Sequence, residues 1–156
     1  MPNLFEEKKY LFNSERVMIG VDEVGRGCWA GPVLSCASYI YPSKFMNLPI
    51  IDDSKKMSKK NRREILACSS SFSRCAIGCS TVSEIENLGI NVSNDLAALR
   101  AVIVLIQNLN MHTDKNLFFD IFFDGNRIPK FEIFNNLYNL IRNKIKINCI
   151  VKGDTK

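Results

Sequence analysis

One histidine and one tryptophan occur among 156 residues, and no stretch approaches 18 apolar residues without a charge. With His112 alone in the polar run NMHTDKN, a histidine-based triad or a His-rich metal site is excluded. Acid–base chemistry therefore falls to carboxylates. The shortness of the apolar runs argues against a transmembrane helix, and no membrane partner is expected. The opening residues, MPNLFEEKKYLFNSER, mix acids and bases and lack the apolar core of a secretory signal. The six cysteines include no C-x-x-C pair. Cys75 and Cys79 share one face of an alternating run, but no histidine or second pair completes a tetrahedral zinc set. Reduced, mostly buried thiols in a cytoplasmic protein are the expectation.

What is present is an ordinary globular balance, 46% apolar and 24% charged residues, in a chain sized for one domain. No repeat, low-complexity tract or linker divides it. Residues 1–16 read as an N-terminal extension and residues 17–156 as the folded domain. The net charge of +5 points to an anionic partner only where the bases cluster. They do so in DDSKKMSKKNRR, where Lys55, Lys56, Lys59, Lys60, Arg62 and Arg63 stand against Asp52 and Asp53.

The apolar run at 17–22 reads as a buried strand, broken by the glycine-rich segment 25–31 and followed by a strand at 33–41. A helix is expected after the basic segment, with Ser58 as N-cap and Ile65 and Leu66 within it. Residues 71–80 alternate like a third strand. Ser83 and Glu86 have capping-box spacing for a short helix that ends at Gly89. Leu96, Leu99, Ile103 and Ile106 recur at helical spacing and predict a long helix over 93–110. A strand at 117–124, a helix over 131–144 and a terminal strand complete an α/β pattern with a sheet partly antiparallel and partly parallel.

Three strand-like runs end in carboxylates: Asp22 and Glu23, then Asp124, then Asp154. Taken singly, each aspartate is equally well the start of a turn, as in Asp124-Gly125. Strand ends converging on one sheet edge would instead crowd four negative charges that repel unless cations neutralise them. Oxygen-only donors suit Mg²⁺ or Mn²⁺, and two such ions about 4 Å apart are a known device for phosphodiester hydrolysis. Directly after the acidic pair, Gly25 and Gly27 flank Arg26. Such a turn either faces solvent or offers backbone N–H groups and a guanidinium fork to a hydroxyl or phosphate. Asp120 shares strand parity with Asp124 but reads as structural, and Trp29 reads as a packing residue.

The blocks DEVGRGCWAGPV at 22–33, DDSKKMSKKNRREI at 52–65, FDGNRIPK at 123–130 and VKGD at 151–154 together resemble the signature of ribonuclease HII, the type 2 bacterial ribonuclease H. Ribonuclease HIII is a poorer match, because it usually has another residue at the position of Arg26. The resemblance implies a ribonuclease H-like mixed five-stranded sheet flanked by helices. It implies that Asp22, Glu23, Asp124 and Asp154 bind Mn²⁺ or Mg²⁺ and form the catalytic set. It implies that Gly25, Arg26 and Gly27 read the 2′-hydroxyl at an RNA–DNA junction, and that Ser54, Lys55 and Lys56 belong to the block lying along the substrate backbone. The substrates it implies are RNA–DNA hybrids and duplex DNA containing ribonucleotides, cut 5′ of the ribonucleotide by a monomer. Two departures accompany it. The connection from Asp124 to Asp154 is longer than expected, and family members continue past the VKGD block with a Ser/Ala-rich segment and a tyrosine that packs on the substrate sugar. The C-terminal helices are accordingly expected to be missing from the catalytic domain. The competing expectation is an inactive chain that at most binds nucleic acid through its basic loop; another nuclease or resolvase on the same fold is disfavoured by the Gly-Arg-Gly turn.

Overall fold

A computed structural model describes residues 15–28, 30–49, 51, 55–113 and 116–150. Trp29 and the N-terminal extension up to residue 14 lie outside them. Five strands form one sheet: β1 (Arg16–Val24), β2 (Val33–Ile40), β3 (Ser73–Ser80), β4 (Phe118–Asp124) and β5 (Ile145–Ile150), in spatial order β3-β2-β1-β4-β5. β1, β2 and β3 pair antiparallel, whereas β4 is parallel to β1 and β5 is parallel to β4. This is the mixed five-stranded sheet expected from the sequence.

Strand alternation decides which side of the sheet is inside. Val17, Ile19 and Val21 of β1 are buried, as are Phe119 and Ile121 of β4, and α3 (Ile90–Asn110) covers that face. Leu96, Leu99, Ile103 and Ile106 are all buried, as their spacing predicts. Each side chain of this size buried in full contributes about 1.5–3 kcal/mol. Small residues let the helix settle onto the backbone of β3. A Cβ added to Gly78 would stand 2.0 Å from the Ala97 carbonyl oxygen and 2.5 Å from the Ala101 nitrogen, so only glycine fits there. By length and composition α3 could cross a membrane. In the fold it is instead the core helix, with Ala97, Leu99, Ala101, Val102 and Leu105 fully enclosed.

The shorter elements hold to the expectations in part. α1 (Lys59–Cys68) is capped by Ser58, whose hydroxyl accepts from the Asn61 N–H at 3.1 Å. The capping box of α2 (Val82–Leu88), however, is formed by Thr81 and Glu84, not by Ser83 and Glu86. The S/T-x-x-E spacing occurs twice, two residues apart, and the earlier copy begins directly after the last residue of β3. It also has a tertiary partner: Arg100 of α3 holds Glu84 at 2.6 Å. Gly89 ends α2 as expected, and α3 begins immediately at Ile90, earlier than the predicted 93.

The helix predicted over 131–144 is not continuous. A 3₁₀ turn (Phe131–Phe134) and the single-turn α4 (Asn135–Tyr138) give way to turns before β5. Phe131 is fully buried, edge-on to Phe123 at 5.9 Å and to Tyr138 at 6.1 Å, and Ile141 is buried with them. The apolar spacing thus reports burial in the core, while Asn135, Asn136, Asn139 and Asn143 disfavour a sustained helix through side-chain competition for backbone bonds.

The cysteines also depart from expectation. All six are free, but Cys28, Cys36, Cys68 and Cys75 are exposed and only Cys79 and Cys149 are half-buried. Cys36 and Cys75 belong to the sheet face turned away from α3. Asp120 is structural, as expected: it is buried, and Arg16 grips both of its oxygens at 2.8 and 2.5 Å.

Candidate active site

The parallel pairing of β1 with β4 sets Val21 beside Phe123, so the next residues in each strand, Asp22 and Asp124, stand side by side at the C-terminal strand ends. Both are exposed, on the face opposite α3. Val21 is buried and Phe123 half-buried on the α3 side, so the carboxylate that follows each of them faces the opposite, exposed side of the sheet. Glu23 follows Asp22 closely: its N–H donates to Asp22 Oδ1 at 2.8 Å, and its carboxylate faces the Arg26 guanidinium at 3.6 Å.

The Gly-Arg-Gly turn starts two residues later. Gly25 adopts φ 96°, and a Cβ there would lie 2.7 Å from the Pro32 carbonyl oxygen; the Cys28 N–H closes the turn onto Gly25 O at 3.2 Å. Gly25 is thus demanded by the chain itself. Gly27 is different, since a Cβ there meets nothing within 4 Å. Arg26 donates to Asn91 Oδ1 at 2.6 Å, which ties the turn to the first turn of α3.

The same end of α3 holds the loop after β4. Arg127 joins Asp95 through both terminal guanidinium nitrogens and reaches Asn91 O at 3.2 Å, and the Lys130 N–H donates to Asp95 Oδ2 at 3.1 Å. Asp95 is buried. Asn91 and Asp95 therefore anchor both segments that flank the carboxylates, a role the sequence reading missed. The signal was there: Asp95 interrupts the buried stripe that continues through Leu99 and Val102, and a carboxylate at such a position requires a partner.

Of the other expected site residues, Lys55 and Lys56 are exposed ahead of α1, whose Lys59, Lys60, Arg62 and Arg63 are exposed as well. Ser54 and Asp154 lie outside the described residues. Among the described residues no group of three or more metal-ligating side chains is assembled. Two carboxylates from adjacent strands are, and all their donors are hard oxygens, the chemistry that Mg²⁺ or Mn²⁺ requires. The described part of β5 ends at Ile150, which pairs with Asp124 and accepts the Gly125 N–H at 3.0 Å, four positions before Asp154.

A family model described as Ribonuclease HII matches residues 19–156. The chain is 34% identical to a ribonuclease HII of Wolbachia (subsp. Brugia malayi) over 89% of its own length and 58% of the relative's. It is 36% identical to one from Anaplasma phagocytophilum over 71% of this chain and 51% of the relative. It thus spans about half the length of the curated relatives it matches. Among solved structures, a mutant protein of Bst-RNase HIII aligns with TM-score 0.66 at 18% identity, covering 89% of this chain and 46% of that one. Bst-RNase HIII in complex with Mn²⁺ aligns with TM-score 0.63 at 15% identity, covering 96% and 57%. These likenesses establish the ribonuclease H-like fold.

Proposed function

The chain belongs to the ribonuclease HII family, and from that premise we propose that it is a metal-dependent endoribonuclease that cuts the RNA strand of RNA–DNA hybrids and cuts 5′ of ribonucleotides embedded in duplex DNA. The observation that carries this reading is the placement of Asp22 and Asp124 side by side at an exposed sheet edge, with the Gly-Arg-Gly turn directly following. In this reading Asp22, Glu23, Asp124 and Asp154 hold Mg²⁺ or Mn²⁺. Bound there, such ions supply an activated water and neutralise charge on the leaving 3′-oxygen.

The chain's own groups do the rest. Gly27 leaves the backbone of the turn open, so that a sugar 2′-hydroxyl can approach the N–H groups of residues 25–27, the contact by which a protein distinguishes RNA from DNA. Arg26, braced by Asn91 and Glu23, presents its fork to the adjacent phosphate. Ser54, Lys55 and Lys56 contact phosphates farther along and supply affinity without sequence preference. Residues 17–156 form the catalytic domain, acting as a monomer in the cytoplasm; six free thiols accord with a reducing compartment.

A second reading, nucleic-acid binding without cleavage, is favoured by the basic segment, in which Lys55, Lys56, Lys59, Lys60, Arg62 and Arg63 are all exposed. One assay separates the two. A DNA duplex carrying a single ribonucleotide is incubated with the protein and Mn²⁺ or Mg²⁺. The nuclease reading expects one nick 5′ of the ribonucleotide, abolished by EDTA. Salt-sensitive binding with no nick at any metal concentration would establish the second.

A further inference from the structure

Two arginines meet the first turns of α3, and the chain holds them in different ways. Arg127 is bonded through both terminal guanidinium nitrogens to Asp95, whose side chain is 2% exposed, so its charge is matched by a buried carboxylate. Arg26 is bonded through Nη2 to Asn91 Oδ1 at 2.6 Å, and its other terminal nitrogen stands 3.6 Å from Glu23 Oε1. The Arg26 guanidinium is thus fixed chiefly by a neutral amide, while its side chain stays 45% exposed. The backbone carbonyl of Asn91 accepts from Arg127 at 3.2 Å, so one residue touches both arginines.

Stability alone would place a carboxylate at position 91. It is the second residue of α3, whose first turn holds no acidic side chain and lies at the positive end of the macrodipole. An aspartate there would gain from the helix end and, through a charge-assisted bond, from Arg26. It would also cancel the charge by which Arg26 attracts an anion. An amide acceptor gives direction without neutralisation. It restrains a long side chain before binding, so that less rotamer freedom is lost when a ligand arrives.

We propose that Asn91 is a positioning residue for nucleic-acid recognition: it orients Arg26 toward a phosphate of the bound duplex and leaves the guanidinium unneutralised. The inference rests on the reading of Arg26 as a phosphate contact. It divides the two arginines by role. Arg127, matched by Asp95, braces the loop after β4, and Arg26, held by Asn91, is the one left available to a ligand.

The test measures binding of a duplex with one ribonucleotide by fluorescence anisotropy across a KCl series, in EDTA so that no cleavage intervenes. The thermal midpoint of each variant is recorded alongside. Arg26→Gln is expected to weaken binding by at least about tenfold, the loss of one charge-assisted bond, and to flatten the slope of log affinity against log salt by about 0.9. Asn91→Asp is expected to unfold no lower than the wild type, yet to weaken binding and flatten the slope as Arg26→Gln does. Asn91→Ala weakens binding by loosening Arg26. In the Arg26→Gln background neither Asn91 substitution changes affinity by more than about twofold, because the effect passes through the arginine. Wild-type affinity and salt slope in Asn91→Asp, or an undiminished effect of Asn91→Asp in the Arg26→Gln background, overturns the proposal and leaves Arg26 as a contact. Unchanged binding in Arg26→Gln overturns it together with the reading on which it rests.

Discussion

Arg127 and Asp95 are joined through two guanidinium nitrogens, and this pair fastens the loop that follows Asp124 to the second turn of α3. The two partners are unequally placed: the Asp95 side chain is 2% exposed and that of Arg127 40% exposed. The asymmetry matters because an ion pair's worth depends on what is left when one member is removed. Asn91, one turn earlier, carries the parallel bond to Arg26, so a single helix end braces both walls of the candidate site.

The asymmetry predicts an order of stabilities. Arg127→Met leaves a buried carboxylate with only the Lys130 N–H, at a cost of about 3–5 kcal/mol. Asp95→Asn leaves an arginine that can turn to water and costs about 1.5–3 kcal/mol, the range for a hydrogen bond to a charged group. Urea unfolding of the two variants measures the difference, and equal midpoints would contradict it.

The two glycines of the turn are expected to separate stability from substrate contact. Gly25→Ala forces a side chain into a positive-φ position against the Pro32 carbonyl and costs about 1–3 kcal/mol. Gly27→Ala meets open space, so its thermal midpoint stays at the wild-type value while affinity for a ribonucleotide-containing duplex falls. A loss of stability in Gly27→Ala as large as in Gly25→Ala would remove the distinction.

Much of this was legible in the sequence, and the failures have physical reasons. The apolar runs at 17–22 and 117–124 marked Asp22 and Asp124 as carboxylates closing buried strands; β4 does end at Asp124, while β1 continues to Val24 in its pairing with β2. The long helix was legible because its apolar stripe, Leu96 to Ile106, is sustained over about three turns. The 131–144 segment was misread because apolar residues at three- and four-residue steps fit a helix and a series of core-packed turns equally well. The Asp95–Arg127 pair could not be read, since its partners are 32 residues apart and only the fold brings them together.

Glu84 predicts a pH dependence. Its hydrogen bonds from Arg100, and then from the Thr81 N–H, hold its carboxyl at about 2, below the ordinary 4.5. A carboxyl depressed in the folded state stabilises above its unfolded value and loses that contribution as pH falls toward its folded value. The thermal midpoint of the wild type should therefore exceed that of Glu84→Gln at neutral pH. The gap should close between pH 4.5 and about 2. A gap that stays constant through that window would refute the assignment.

The basic segment predicts a salt effect. Each phosphate contact contributes about −0.9 to the slope of log affinity against log salt on B-form duplex. Replacing Lys55 and Lys56 by alanine should flatten that slope by about 2, read by fluorescence anisotropy across a KCl series. An unchanged slope would remove these lysines from the interface.

The central claim is that Asp22 and Asp124, set side by side by the pairing of β1 with β4, are the metal-binding heart of a nuclease. Its most direct test is single-turnover nicking of a duplex with one ribonucleotide in Mn²⁺, comparing the wild type with Asp22→Asn and Asp124→Asn. The account predicts a junction-specific nick by the wild type and a fall of more than about 100-fold in each variant, beyond what loss of an outer-shell partner costs a metal site. Undiminished nicking by both variants would contradict it.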